Sequence, residues 1–299
     1  NGDRYAVAVR KPDKDIEVKV VDYVSMASRS VFFRVPIIRG VVNFVESLVI
    51  GVKTLTYSAS FYDDEEPEKA EKEKKEKKKE RTPEQQKRAD DAAMIGTVLF
   101  SLVFAIALFM MLPAFIGELI DKVIDNRIIM SAIEGVIRLG IFLGYVALIS
   151  LMKDIKRTFM YHGAEHKTIF CYEHGLELTV ENVRIQRRFH PRCGTSFLIL
   201  MVLVSILITM FIPAHIVDSR VLNVVLRSAI GILLLPLIMG VGYELLKLAG
   251  RHDNLFTRII SAPGMWLQHI TTREPDDSMI ECAIAAVKRV IPDDGSDRW

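Results

Sequence analysis

Four side chains able to ligate a transition metal, His162, His166, His190 and Cys193, fall within 32 residues of a chain that holds seven His and three Cys. On a helix, His162 and His166 stand four apart on one face, a spacing at which two imidazoles can share an ion. His190 and Cys193 are three apart. Three nitrogens and a thiolate form a donor set that suits zinc. His162-Gly-Ala-Glu165-His166 also matches the inverted zinc-peptidase pattern His-x-x-Glu-His, in which the two His hold zinc and the Glu is the general base. If all four side chains bind, the tetrahedron is closed and the zinc is structural; if one is free, water can take the open position and Glu165 becomes a catalytic candidate. A third reading is thiol chemistry at Cys193 assisted by His190, with Arg192 and a following helix N-terminus drawing the thiol pKa down.

The elements that must position these residues are marked by how charge and hydrophobicity are segregated. The chain has 299 residues, 50% hydrophobic and 25% charged, with a mean hydropathy of +0.24. That mixture calls for separate apolar and charged regions. Residues 1–34 open with two alternating β-branched runs, Tyr5–Arg10 and Ile16–Val21, around Pro12-Asp13-Lys14-Asp15, which predicts a hairpin. In 35–62 the apolar residues recur at helical spacing around Arg39, Asn43, Glu46 and Lys53. That pattern fits an amphipathic helix, either lying in a membrane interface or buried against a bundle. Residues 63–91 carry ten Lys/Arg against twelve Asp/Glu and read as a solvated linker.

Four apolar stretches follow, Ala92–Ile116, Ile128–Met152, Ser196–Ile216 and Asn223–Leu248, each near the roughly 20 residues that span the hydrocarbon. They divide the remaining chain into helices one and two (92–152), a His/Cys loop (153–195), helices three and four (196–248) and an amphipathic tail (249–299). The loop holds eight Lys/Arg and the linker ten, whereas the connectors Gly117–Arg127 and Val217–Leu222 hold three between them. Lys and Arg favour the cytoplasmic side, so both termini and the His/Cys loop are expected in the cytoplasm and the protein in the bacterial inner membrane. Three unpaired cysteines in a reducing compartment agree with this. No basic segment followed by an apolar run precedes the hairpin, so no cleavable signal peptide is expected. No basic face interleaved with aromatics is present, which sets nucleic acid aside as a partner.

Within the spans, Glu134 and Arg138 are one helical turn apart and are expected to neutralise each other as a pair pointing into the bundle, the alternative being a polar cavity or substrate path. Arg227 and Glu244, toward opposite ends of the last span, are expected to snorkel, and Pro236 to kink it. The second span is expected to continue as one helix to about Tyr172. The tail, with Met279, Ile280, Ala283, Val287 and Ile291 on one stripe behind Asp276 and Asp277, reads as a capped helix docked on the loop or the membrane.

Tyr161-His-Gly-Ala-Glu-His-Lys167, His190-Pro-Arg-Cys-Gly-Thr-Ser-Phe197, Tyr243-Glu-Leu245 and Trp266-Leu-Gln-His-Ile-Thr-Thr-Arg-Glu-Pro-Asp-Asp277 resemble the signatures of the YqhQ-like family of bacterial membrane proteins, domain of unknown function 1385. Ala6–Pro12 and Ile38–Val41 fit as well. The resemblance implies an integral membrane protein described only as a possible metal-dependent enzyme. The expectation is therefore an α-helical membrane protein of four spans with an N-terminal hairpin and a zinc site on His162, His166, His190 and Cys193. Two functions are carried forward. One is a non-catalytic scaffold or regulator of membrane-protein insertion or turnover, with a membrane-protein partner. The other is a zinc-dependent hydrolase directed at peptide or lipid, with Glu165 as base.

Overall fold

In the computed structural model, residues 4–62, 83–120, 126–191, 193–213, 215–252 and 254–292 are described. Most of the Glu/Lys linker, Arg192 and the last seven residues lie outside them. The chain is mostly helical, with one small sheet. Strands β1 (Arg4–Arg10) and β2 (Ile16–Asp22) pair antiparallel from Arg4 opposite Asp22 to Arg10 opposite Ile16. The hairpin follows the alternation in the sequence, and Lys14 takes the positive φ of 72° that closes its turn. A one-turn helix α1 (Met26–Arg29) and a 3-10 turn (Val31–Arg34) lead into α2 (Ile38–Ala59).

Helix α2 turns Arg39, Asn43 and Glu46 inward, while Lys53 is exposed. Arg39 donates from Nε to Glu244 Oε1 at 2.6 Å and from Nη2 to Oε2; Asn43 donates to the Tyr243 hydroxyl at 2.7 Å. Glu46 accepts from Ser25 Oγ at 2.9 Å and from the Met26 amide. The opposite face is apolar and exposed, with Val52 at 64% and Leu55 at 67%. This inverts the amphipathy of a helix on a water-soluble protein. Gly40 permits the contact: a Cβ there would meet Tyr243 Cβ and the Gly240 backbone.

The bundle follows. Helix α3 (Pro83–Ile106) begins with a proline, which is favoured in a first turn because its missing N–H would be unpaired there anyway, and passes through a π turn (Ala107–Met111) into α4 (Leu112–Ile120). Then come α5 (Arg127–Ile149), α6 (Lys153–Glu173), α7 (Val180–Arg184), α8 (Gly194–Thr209), α9 (Arg220–Arg251), α10 (Leu255–Thr271) and α11 (Asp277–Lys288). Among the described residues, three segments are long and apolar enough to cross a membrane: Ile95–Ile120, Ile129–Ile149 and Arg220–Gly250. The third expected span is shorter than its sequence suggests. Its helix, α8, stops at Thr209 after 16 residues, and Pro213 disfavours helical backbone just before itself.

Two further expectations are corrected. The second span does not run on to Tyr172: α5 ends at Ile149, residues 150–152 close in a turn, and Met152 (φ −66°, ψ 137°) starts α6 afresh. No proline or glycine marks this break. It arises because α5 packs beside α8 while α6 must lie along α11. The charges within the apolar helices also pair differently. Glu134 takes a bidentate pair from Arg227 of α9, at 2.8 and 2.7 Å, and not from Arg138. Glu244 pairs with Arg39 of α2, so neither Arg227 nor Glu244 snorkels. A bidentate guanidinium–carboxylate fork between helices satisfies both buried groups better than a strained pair along one helix.

Outside the bundle, α6, α7 and α11 share a core of Ala164, Cys171, Leu178, Val183, Met279, Ile280, Ile284 and Val287. Asp276 caps α11 through the Met279 amide at 3.0 Å. Arg10 ties the hairpin to α11 through Ser278 O at 2.9 Å and Glu281 at 2.5 Å. The docked tail helix thus packs on the loop, one of its two expected partners.

Candidate metal centre

His162 and His166 share one face of α6, as their spacing requires, with ring centroids 4.3 Å apart. Each ring is tied by Nδ1 to a backbone carbonyl, His162 to Thr271 at 2.8 Å and His166 to Arg188 at 2.5 Å. A carbonyl oxygen only accepts, so both Nδ1 atoms carry hydrogen and both Nε2 atoms face inward. Cys193, the N-cap of α8, brings its Sγ to 3.2 Å from His162 Nε2. One ligand atom from each of His162, His166 and Cys193 lies within 4.8 Å of the others. His166 and Cys193 are buried and His162 half-buried.

His190 is held elsewhere. Its ring is buried against Phe170, centroids 4.7 Å apart, and its Nε2 meets Glu173 Oε2 at 3.2 Å. The imidazole beside the Cys193 thiol is accordingly that of His162, not His190. Glu165 precedes His166 but is exposed.

The three thiols differ sharply. Burial pushes Cys171 and Cys282 up. Burial also opposes ionisation of Cys193, but hydrogen bonds from His162 and His166 outweigh it and bring the thiol down to about 5. His162 answers in kind: burial disfavours its charged form, and the bond to Cys193 more than offsets this, so its pKa is raised. The two shifts favour the thiolate at Cys193 and the charged form of His162. Such a thiolate is both a nucleophile and a ready ligand for a soft cation.

The supporting shell contains residues that the spacing of His and Cys did not reveal. Gln268, fully buried, accepts from the His190 amide at 2.7 Å and donates to the His190 carbonyl at 2.8 Å and to Ser196 Oγ at 3.3 Å. Lys167, 4% exposed, donates to Arg184 O at 2.8 Å and pairs with Glu274. The Arg273 amide bonds Phe159 O at 2.8 Å. Gly163 is required by that approach, since a Cβ there would run into the Arg273 carbonyl. The signal that could have found these residues was present: Gly163 and Lys167 lie inside Tyr161–Lys167, and Gln268, Thr271, Arg273 and Glu274 inside Trp266–Asp277.

Residues 35–293 match the family model described as a protein of unknown function, DUF1385. The chain belongs to the DUF1385 family. It is also 32% identical over 297 residues to the uncharacterized protein YqhQ of Bacillus subtilis (strain 168), covering 96% of this chain and 86% of that protein. No solved structure matches. The family match spans every residue of the His/His/Cys group and its supporting shell.

Proposed function

We propose that this DUF1385 protein is a four-span membrane protein whose cytosolic face carries a zinc centre on His162, His166 and Cys193, and that the centre acts as a non-catalytic anchor of a docking surface. The observation that carries the reading is the convergence of two Nε2 atoms and one Sγ, with both Nδ1 atoms fixed by carbonyls. Ligating His residues are oriented in this way by their outer hydrogen bonds. The centre would clamp three separate stretches, α6, the loop before α8 and the chain after α10. That is the geometry of a structural site rather than of an open cleft, and the burial of His166 and Cys193 favours it. A surface held in this way suits a partner in membrane-protein insertion or turnover.

Contact across the surface body supports the four-span reading. The loop 153–191 and the tail 272–291 pack together, which favours one side of the membrane for both and a crossing by each of α8 and α9. The 16 residues of α8 would rise about 24 Å, a shortfall that local bilayer thinning can accommodate. The Lys/Arg of the loop favour the cytoplasm for that side.

The second reading, a zinc-dependent hydrolase with Glu165 as base, is favoured by one observation. Among the described residues three side chains converge, which would leave a fourth position for water. Metal analysis of protein purified without chelator tests the centre. About one zinc per chain is expected, lost in His162→Ala and Cys193→Ala and kept in His190→Gln and Glu165→Gln. Zinc absent from the wild type would overturn both readings. With the centre established, Glu165→Gln decides between them: a cellular phenotype that survives the change supports the anchor, and one lost with zinc still bound supports the hydrolase.

A further inference from the structure

Away from the metal centre, the helices enclose a cavity of about 180 Å³ between α4, the π turn before it, α5, α8 and α9. Its walls are mostly apolar, including Phe109, Phe142, Met201 and Leu235, and its polar lining includes Arg138 and Ser228. Arg138 is the tenth residue of the Ile129–Ile149 segment, which puts it at mid-bilayer depth if that helix spans. Its Nη1 donates to Ser205 Oγ at 3.3 Å and Thr209 Oγ1 at 3.2 Å. Both hydroxyls pass their own protons to helix carbonyls, at 2.7 Å each. They solvate the guanidinium and do not neutralise it. Among the described residues Arg138 makes no ion pair, because the nearby Glu134 is taken bidentately by Arg227.

Two guanidiniums and one carboxylate leave the cavity one positive charge in excess. Among the described residues, two buried donors of side chains that line it, Arg138 Nε and Ser228 Oγ, have no hydrogen-bond partner. An uncompensated cation and orphaned donors in a low-dielectric cavity are costly, and ionisable groups at this depth mark ligand or ion paths. A π turn at the cavity wall is a further feature that recurs at functional sites.

We propose that this cavity binds an oxyanion, a carboxylate or phosphate, with Arg138 as counter-charge and Ser228 as second donor. The apolar walls fit an anion carried on a hydrocarbon tail, with the free anion as the other source of the same chemistry. The site is independent of the metal centre.

The test is thermal unfolding of the full-length protein in uncharged detergent, titrated with decanoate, decanol or inorganic phosphate. Decanoate is expected to raise the midpoint by about 3 °C at tenfold excess over its Kd, and further with the logarithm of its concentration, and decanol is not. A matching rise with phosphate identifies the free anion as a ligand; a rise with decanoate alone identifies the tailed one. Arg138→Gln should abolish the response, Arg138→Lys should retain part of it, and Ser228→Ala should weaken apparent affinity several-fold. The proposal is overturned if neither anion shifts the wild type, if decanol acts as decanoate does, or if Arg138→Gln responds as the wild type. Should Arg138→Gln fail to fold, undiminished responses in both Ser228→Ala and Arg138→Lys overturn it equally.

Discussion

At the scale of single residues, the side chain of Gln268 behaves as a length of backbone. It offers one acceptor and one donor to the two main-chain groups of His190, as a neighbouring strand would. Gln268→Leu keeps the volume and removes both partners, leaving a buried N–H and C=O unpaired. The expected cost is about 2–4 kcal/mol, read as a lower unfolding midpoint. Because Thr271 shares the same helix end, a reduced zinc occupancy should accompany it. The His162/His166 pair was legible in the sequence because a helix fixes where its i and i+4 side chains point. The role of Cys193 was legible only as chemistry, since a loop of intervening residues leaves its direction open. That His190 would turn to Glu173 was not legible: nothing in a three-residue spacing says that Gln268, 78 positions away, holds that backbone. The Glu134–Arg138 expectation failed for a related reason. Sequence supplies only the distances along one helix, and the stronger partner, Arg227, lay on another.

At the scale of elements, the hairpin, α2, the long spans and α11 were visible from periodicity and caps, because each has a pattern that local geometry rewards. The break at 150–152 was not, because Ser150-Leu151-Met152 contains no breaker and the turn is imposed by what α5 and α6 each pack against. Helix α11 provides the sharpest element-scale expectation. Ile280 and Met279 are each 1% exposed and insert between α6 and α7. Ile280→Ala should therefore cost about 2–5 kcal/mol. Limited proteolysis should then cut the tail at 272–276 before any span is attacked. Equal resistance in the variant and the wild type would mean that α11 contributes nothing to holding the loop.

At the scale of the whole molecule, the four-span reading makes an expectation about sidedness. The natural thiols are buried, so single cysteines introduced at Asp13, Glu177 and Ser219 with the natural cysteines kept report topology. A membrane-impermeant maleimide should reach position 219 in intact cells and positions 13 and 177 only after permeabilisation. Labelling of 13 and 177 from opposite sides would refute it, since the hairpin and the loop both contact α11.

The surface body built from the hairpin, α6, α7 and α11 has a consequence in time as well as in space. Its pieces come from opposite ends of the chain, and Arg10 must find Glu281 across 271 positions of sequence. A ribosome adding about 5–20 residues per second takes on the order of tens of seconds to travel that far. The hairpin is made well before α11 and stays undocked until that helix follows, and His162 stands without the Thr271 carbonyl, 109 positions on, that orients it. The centre is thus a late event within this stretch of chain, because its orientation waits on the end of α10.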